Sequence, residues 1–171
     1  METFLAITSR REVREYRADP IPDEVVRAIL EAGRVSGSGR NTQPWRFFVV
    51  ESGELLAALT PTVSRPSNIA GAPLLIAIAV RRLPRGVFDG GRAAQSMMLA
   101  GWDAGVGSCP NGFTDALRAA ELLGVDADHD LLIGLTFGYP VRPRPPESRT
   151  PEAWLSAADR LPLDEITRFR T

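Results

Sequence analysis

The chain has 171 residues, 44% of them hydrophobic and 24% charged, and its 20 basic and 21 acidic residues leave a formal net charge of −1. That is the length and composition of one soluble domain, and so balanced a charge argues against a nucleic-acid coat or a membrane-surface helix. One Cys and one His exclude an intrachain disulfide and leave a Cys/His zinc site short of ligands. Every basic residue is Arg. With no Lys, a Walker phosphate loop and Schiff-base or pyridoxal phosphate chemistry are excluded.

Met1 to Leu5 has no basic region leading into an apolar core, so no signal peptide is read and a cytoplasmic protein is expected. Phe4, Leu5 and Ile7 predict a short first helix ending near Ser9. A basic patch follows, Arg10-Arg11-Glu12-Val13-Arg14. After the turn at Asp19-Pro20-Ile21-Pro22, Val25, Val26, Ile29 and Leu30 recur at helical spacing until Gly33, with Asp23 and Glu24 favourable in the first turn. Ser36 to Asn41 reads as a loop, which Gln43-Pro44-Trp45 carries into a strand over 46–50. Residues 54–59 suggest a short helix, and 61–71 a polar connection.

The unbroken apolar run from Ala72 to Val80 predicts a buried strand and is too short to span a bilayer as a helix. Asp89 is a plausible cap for a long apolar helix over 91–104. Gly105 to Gly112 reads as a flexible, backbone-exposing segment. Thr114 and Asp115 cap a helix that stops at Leu123-Gly124, and 131–137 is a second buried strand. From Gly138 onward Pro140, Pro143, Pro145, Pro146 and Pro151 predict an extended arm with a short apolar tail, which either docks on a partner subunit or packs on its own. The expected fold is α+β, a three-layer α/β/α sandwich with a small mixed sheet. One domain is expected over 1–171, with 138–171 as the arm.

The chain lacks Gly-x-Gly-x-x-Gly and Gly-x-Ser-x-Gly. His129, in Asp126-Ala127-Asp128-His129-Asp130, reads as part of a solvated turn. Cys109 reads as a structural thiol. No acid–base or nucleophile pair emerges, so no catalytic side chain and no metal ligand is assigned. What remains suits anions and amides. Arg10, Arg11 and Arg14 present guanidinium forks that match phosphate oxygens, or form a solvated face. Asn41 and Gln43 offer amides to a heteroaromatic edge, or serve a turn. The Gly-Val-Gly-Ser-Cys-Pro-Asn-Gly run offers backbone N–H groups.

Taken together and in order, these segments resemble the FMN-dependent nitroreductase family. Arg10-Arg11-Glu12-Val13-Arg14-Glu15-Tyr16 is similar to its opening Arg-Arg-Ser-Val-Arg-x-Phe. Ser38-Gly39-Arg40-Asn41-Thr42-Gln43-Pro44-Trp45-Arg46-Phe47 resembles its most specific signature, Ser-x-x-Asn-x-Gln-Pro-Trp-x-Phe. Residues 20–32, Gly71-Ala72-Pro73, the helix from Asp89, Gly105 to Cys109 and Gly138-Tyr139-Pro140 follow in register. The match covers most of the chain.

The resemblance implies a homodimer with two FMN molecules at the interface. Arg10, Arg11 and Arg14 would meet the phosphate or the pyrimidine edge. Asn41 and Gln43 would face the flavin ring, with Ser38 also among the cofactor-binding residues, and the Pro110-Asn111-Gly112 backbone would sit near its N5. Arg160 would add a phosphate contact, with Arg149 a rival for that place. NAD(P)H would reduce the flavin, and a nitroaromatic, quinone or similar small acceptor would reoxidise it in a ping-pong cycle. The alternatives are flavin fragmentation, dehalogenation or deazaflavin-linked reduction on the same fold, or a non-catalytic FMN-binding store. Two departures stand out. Glu12 replaces the usual Ser, and residues 51–71 hold little of the lid insertion of larger members, which implies an open pocket.

Overall fold

The computed structural model describes residues 1–51 and 53–170. Ser52, and Thr171 at the end of the expected arm, lie outside the described residues. The chain divides into two compact units, one made of residues 11–143 and the other of residues 1–10 with 144–171.

The larger unit is built on four strands, β1 (Trp45–Glu51), β2 (Leu74–Arg81), β3 (Gly107–Asn111) and β4 (His129–Gly138). They lie in the order β1-β2-β4-β3. All three ladders are antiparallel, which corrects the expectation of a mixed sheet. A parallel bridge joins Glu12 to Ser108 beyond the β3 edge. β2 is buried on both faces, which explains its unbroken apolar sequence. Leu74, Ile76, Ile78 and Val80 share one core with Ile29, Trp45, Met97, Leu135 and Phe137. The alternate residue Leu75 joins the second core, with Val50, Leu56, Leu59, Val63, Ile69 and Ala119. The period of two along β2 thus feeds opposite layers.

α2 (Asp23–Arg34) and α5 (Gly86–Asp103) cover the first face. They approach so closely at Gly33 that an added Cβ would lie 2.2 Å from Met97 Cε. On the second face stand α3 (Glu54–Leu59), α4 (Ser67–Ala70) and α6 (Ala116–Leu123). The Asp115 carboxylate caps α6 by accepting from Arg118 N–H, and Gly124 ends it at φ 67°. This unit is the expected three-layer α+β sandwich. α5 begins five residues earlier than read. Asp89 is therefore a buried first-turn residue and not the cap.

Two further segments differ from the sequence reading. Residues 107–111 form a strand and not a flexible segment, because their backbone pairs with residues 134–138 of β4. The connection over 61–71 holds α4, whose Asn68 and Ile69 are buried.

In the smaller unit, α1 (Thr3–Ser9) is capped by the Glu2 carboxylate, which accepts from Phe4 N–H at 2.8 Å and Leu5 N–H at 2.7 Å. These two bonds hold the Glu2 carboxyl below its usual pKa. α1 packs with α7 (Pro151–Ser156), and α8 (Leu163–Ile166) follows. The Pro-rich arm is thus partly helical, where an extended segment was expected. Trp154 is buried, with its indole N–H donating to Pro146 O at 2.8 Å. No helix among the described residues is long and apolar enough to cross a membrane.

Candidate functional site

The segment Arg11 to Tyr16 runs along the outer edge of the sheet. Val13 N–H donates to Ser108 O at 2.9 Å, and Tyr16 bridges Pro140. The Tyr16 hydroxyl donates to Val13 O and lies 2.9 Å from Thr136 Oγ1. Burial pushes its phenol well above the usual range, a shift that the Thr136 hydrogen bond only partly offsets. Gly107 has no room for a side chain here, since an added Cβ would stand 2.6 Å from Val13 Cγ2. The arginine-bearing segment is therefore wedged against β3, with Arg14 exposed and Arg11 half-buried.

In β3, Pro110 and the following Gly112 are exposed while Asn111 is buried. Asn111 turns inward: its Nδ2 donates to Cys109 O at 2.9 Å, and its buried Oδ1 has no hydrogen-bond partner. Asn111 can therefore meet a bound ring only through its backbone. Cys109 is buried, 3.9 Å from Asn68 Nδ2, as a structural thiol would be.

Residues 38–43 form the second group. Arg40, Asn41 and Gln43 take positive φ values of 54°, 56° and 45°. Such conformations cost of order 1–3 kcal/mol each for a non-glycine residue and collect at ligand clamps. Asn41 and Gln43 are exposed. Ser38 Oγ is already engaged, accepting from Gln43 N–H at 3.0 Å, so it steadies the loop. Asp89, on α5, accepts from Gly39 N–H at 3.0 Å. Sequence reasoning missed this carboxylate as a loop anchor, because nothing local to Asp89 points 50 residues back.

The two groups sit at opposite corners of the sheet. Glu12, Ser108, Phe137, Leu74 and Glu51 form one row across the strands. The loop enters β1 at Trp45, six residues from that row and on the far edge. At about 3.3 Å per residue and 4.8 Å per strand spacing, the separation exceeds roughly 20 Å.

Of the other residues singled out, Arg10 and Arg160 belong to the smaller unit, where the Arg160 guanidinium donates to Ala158 O at 2.8 Å. Its rival Arg149 stacks 4.9 Å from the Trp154 ring centroid. His129 is not in a solvated turn. It is buried at the start of β4, with Nδ1 2.6 Å from Asp128 Oδ1, and that contact lowers the Asp128 pKa.

The nitroreductase family model matches residues 7–65 and 62–139, and the chain belongs to that family. NfnB, a nitroreductase of Mycolicibacterium smegmatis, is 26% identical over 191 residues, covering 78% of this chain and 80% of that protein. A nitroreductase structure from Desulfovibrio desulfuricans, in complex with FMN, is 27% identical. It superimposes with a TM-score of 0.81 over 100% of this chain and 98% of its own. A nitroreductase family protein of Clostridium difficile 630 shares the fold at 22% identity, with a TM-score of 0.85 over 100% and 99% of the two chains.

Proposed function

We propose that this protein is an FMN-dependent oxidoreductase that passes reducing equivalents from NAD(P)H to a nitroaromatic, quinone or similar small acceptor. The observation that carries the reading is the split donor set. Guanidinium forks on Arg11 and Arg14 suit a phosphate, and exposed amides on Asn41 and Gln43 suit a ring edge. The two groups of a single copy stand too far apart to hold the phosphate and the ring of one FMN. Two copies related by a two-fold axis could place the arginine edge of one against the amide loop of the other, twice over. The reading is therefore a homodimer with two composite sites.

When bound, FMN supplies two-electron transfer, so the protein needs no nucleophile and no metal. The chain's part is to bind, orient and tune. The Pro110-Asn111-Gly112 backbone is fixed by the β3–β4 ladder and by the inward Asn111 amide, so it offers main-chain groups at a set position. Arginines near the pyrimidine edge would stabilise the negative charge that builds there on reduction. Ping-pong exchange of donor and acceptor over one ring face fits an open pocket.

The test is the spectrum and hydrodynamic size of the purified protein. Flavin absorbance bands with a dimer mass support the reading, and a colourless monomer that ignores added FMN ends it. A second reading is dehalogenation. An iodotyrosine deiodinase of Daphnia pulex is 41% identical over 68 residues, 40% of this chain and 23% of that protein. Turnover of a halophenol but of no nitro compound or quinone would select it.

A further inference from the structure

Beside the amide loop lies a cleft of about 440 Å³ that no feature of the flavin reading uses. One wall is the turn at Gly39 and Arg40, and the other is the junction between β2 and α5, with Leu83, Pro84 and Arg85. Its floor is Asp89, whose side chain is 3% exposed. That carboxylate is already engaged, since one oxygen accepts the Gly39 N–H at 3.0 Å and the other faces Arg92 Nη1 at 3.9 Å. Arg92 also presses on Gly37, where an added Cβ would meet its Nη2 at 2.5 Å. The Arg85 stem crosses Gly39, with Cδ 3.5 Å from the position of an added Cβ. Arg40 and Arg85 line the cleft with one carboxylate, which Arg92 also faces, so the surplus charge on the cleft wall is positive. The left-handed turn at Arg40 and Asn41 sorts the two side chains. Arg40 lines the cleft and Asn41 does not. Leu83 and Pro84 add an apolar wall.

We propose that this cleft binds a small substrate that carries an oxyanion on an apolar body, with Arg40 and Arg85 as the recognising groups. A planar guanidinium matches a carboxylate or a phosphate through paired N–H donors. The Thr42 hydroxyl supplies a further donor. That this anchors the substrate of the redox reaction rests on the flavin reading, but the binding itself does not. Two sources of the oxyanion fit, the carboxylate of an aromatic acceptor and the extra phosphate that separates NADPH from NADH.

The experiment is isothermal calorimetry on the full chain, with and without added FMN, using two probe pairs. These are 4-nitrobenzoate against 4-nitrobenzamide, and NADPH against NADH. At about 50 mM salt the more anionic member of at least one pair binds about tenfold more tightly, a preference that shrinks at about 500 mM as the charges are screened. Preference in the first pair assigns the carboxylate acceptor, and in the second the dinucleotide phosphate. The R40Q/R85Q variant, which keeps both side-chain stems, loses the preference. If that variant does not fold, R40Q alone must reduce it. No preference in either pair, a salt-independent preference, or one that survives in folded R40Q/R85Q overturns the proposal. A chain that shows the preference but never binds FMN overturns the flavin reading and leaves the cleft standing.

Discussion

Replacing Gly107 with Ala tests how the arginine segment is held. The new Cβ would stand 2.6 Å from Val13 Cγ2, 2.7 Å from its Cβ and 3.0 Å from its Cγ1. Carbon atoms settle at about 3.5–4.0 Å, so the contact is short by about 1 Å. Val13 cannot rotate out of the way, because two of its carbons are branches of a stiff β-branched side chain. Its backbone is also tied to Ser108 O at 2.9 Å. The strain must therefore move the whole segment or push β3 off β4. Overpacking of this kind costs about 1–3 kcal/mol. For a chain of this length that lowers Tm by roughly 2–12 °C.

The functional consequence is of similar size. Arg11 and Arg14 flank Val13 and shift with it. A misaligned charge-assisted hydrogen bond gives up about 1.5–3 kcal/mol, which is roughly ten- to a hundredfold in FMN affinity. Differential scanning calorimetry of the apo protein and fluorescence titration with FMN read the two effects separately. Adding Val13→Ala removes both Cγ contacts but leaves the 2.7 Å Cβ contact, so rescue should be partial. A G107A protein with the parent's Tm would show that Val13 is not wedged. A lowered Tm with unchanged FMN affinity would show that the arginine segment does not face the cofactor.

Replacing Arg14 with Ala should weaken FMN binding about ten- to a hundredfold while the apo protein loses under about 1 kcal/mol, because an exposed Arg adds little to folding. The same titration and calorimetry check it, and unchanged affinity would remove Arg14 from the phosphate contact. Cys109→Ser should keep turnover with NAD(P)H and a quinone, since the buried thiol packs and does not react; lost turnover would mean that the sulfur takes part. Tyr16→Phe bears on the alkaline limit. Burial raises the folded phenol above its ordinary value of 10.0, so the unfolded chain loses its proton first. Stability is thus full below pH 10 and falls as pH climbs past it. Denaturant titrations between pH 8 and about 11.5 should show a shallower alkaline decline in Y16F. Equal slopes in the two proteins would refute the assignment.

Much of the larger unit was legible because its signals are local. The apolar run of β2 needs both faces covered, so its burial could be read from composition alone. The spacing of Val25, Val26, Ile29 and Leu30 places α2 within a residue or two of its ends. The segment over 107–111 was misread for a reason that is not local. Its glycine, serine and proline content suits a loop, and only the pairing with β4 makes it a strand. Gly107 is small because Val13, 94 positions earlier in the chain, occupies the space, and no window of sequence holds both residues. His129 was misread in the same way. Its acidic neighbours suggest solvent, but the ring turns inward where the register of β4 places it opposite Arg81.

The candidate site shows the same limit at a larger scale. Motif order proposes which residues serve the cofactor, yet order along a chain says nothing about which copy each residue would serve. The strand order bears on that question. With β1 and β3 at opposite edges, the residues of the opening arginine motif and those of the amide loop diverge as the fold forms. On the proposed reading, a site that uses both is assembled from two chains. The left-handed backbone at Arg40, Asn41 and Gln43 then has a physical rationale. The loop is held by the Ser38 hydroxyl and the buried Asp89 carboxylate in a shape its residues do not favour. In that shape Asn41 and Gln43 stay exposed, where a second copy can meet them. Removing either anchor should relax the loop and cost the composite site before it costs the fold.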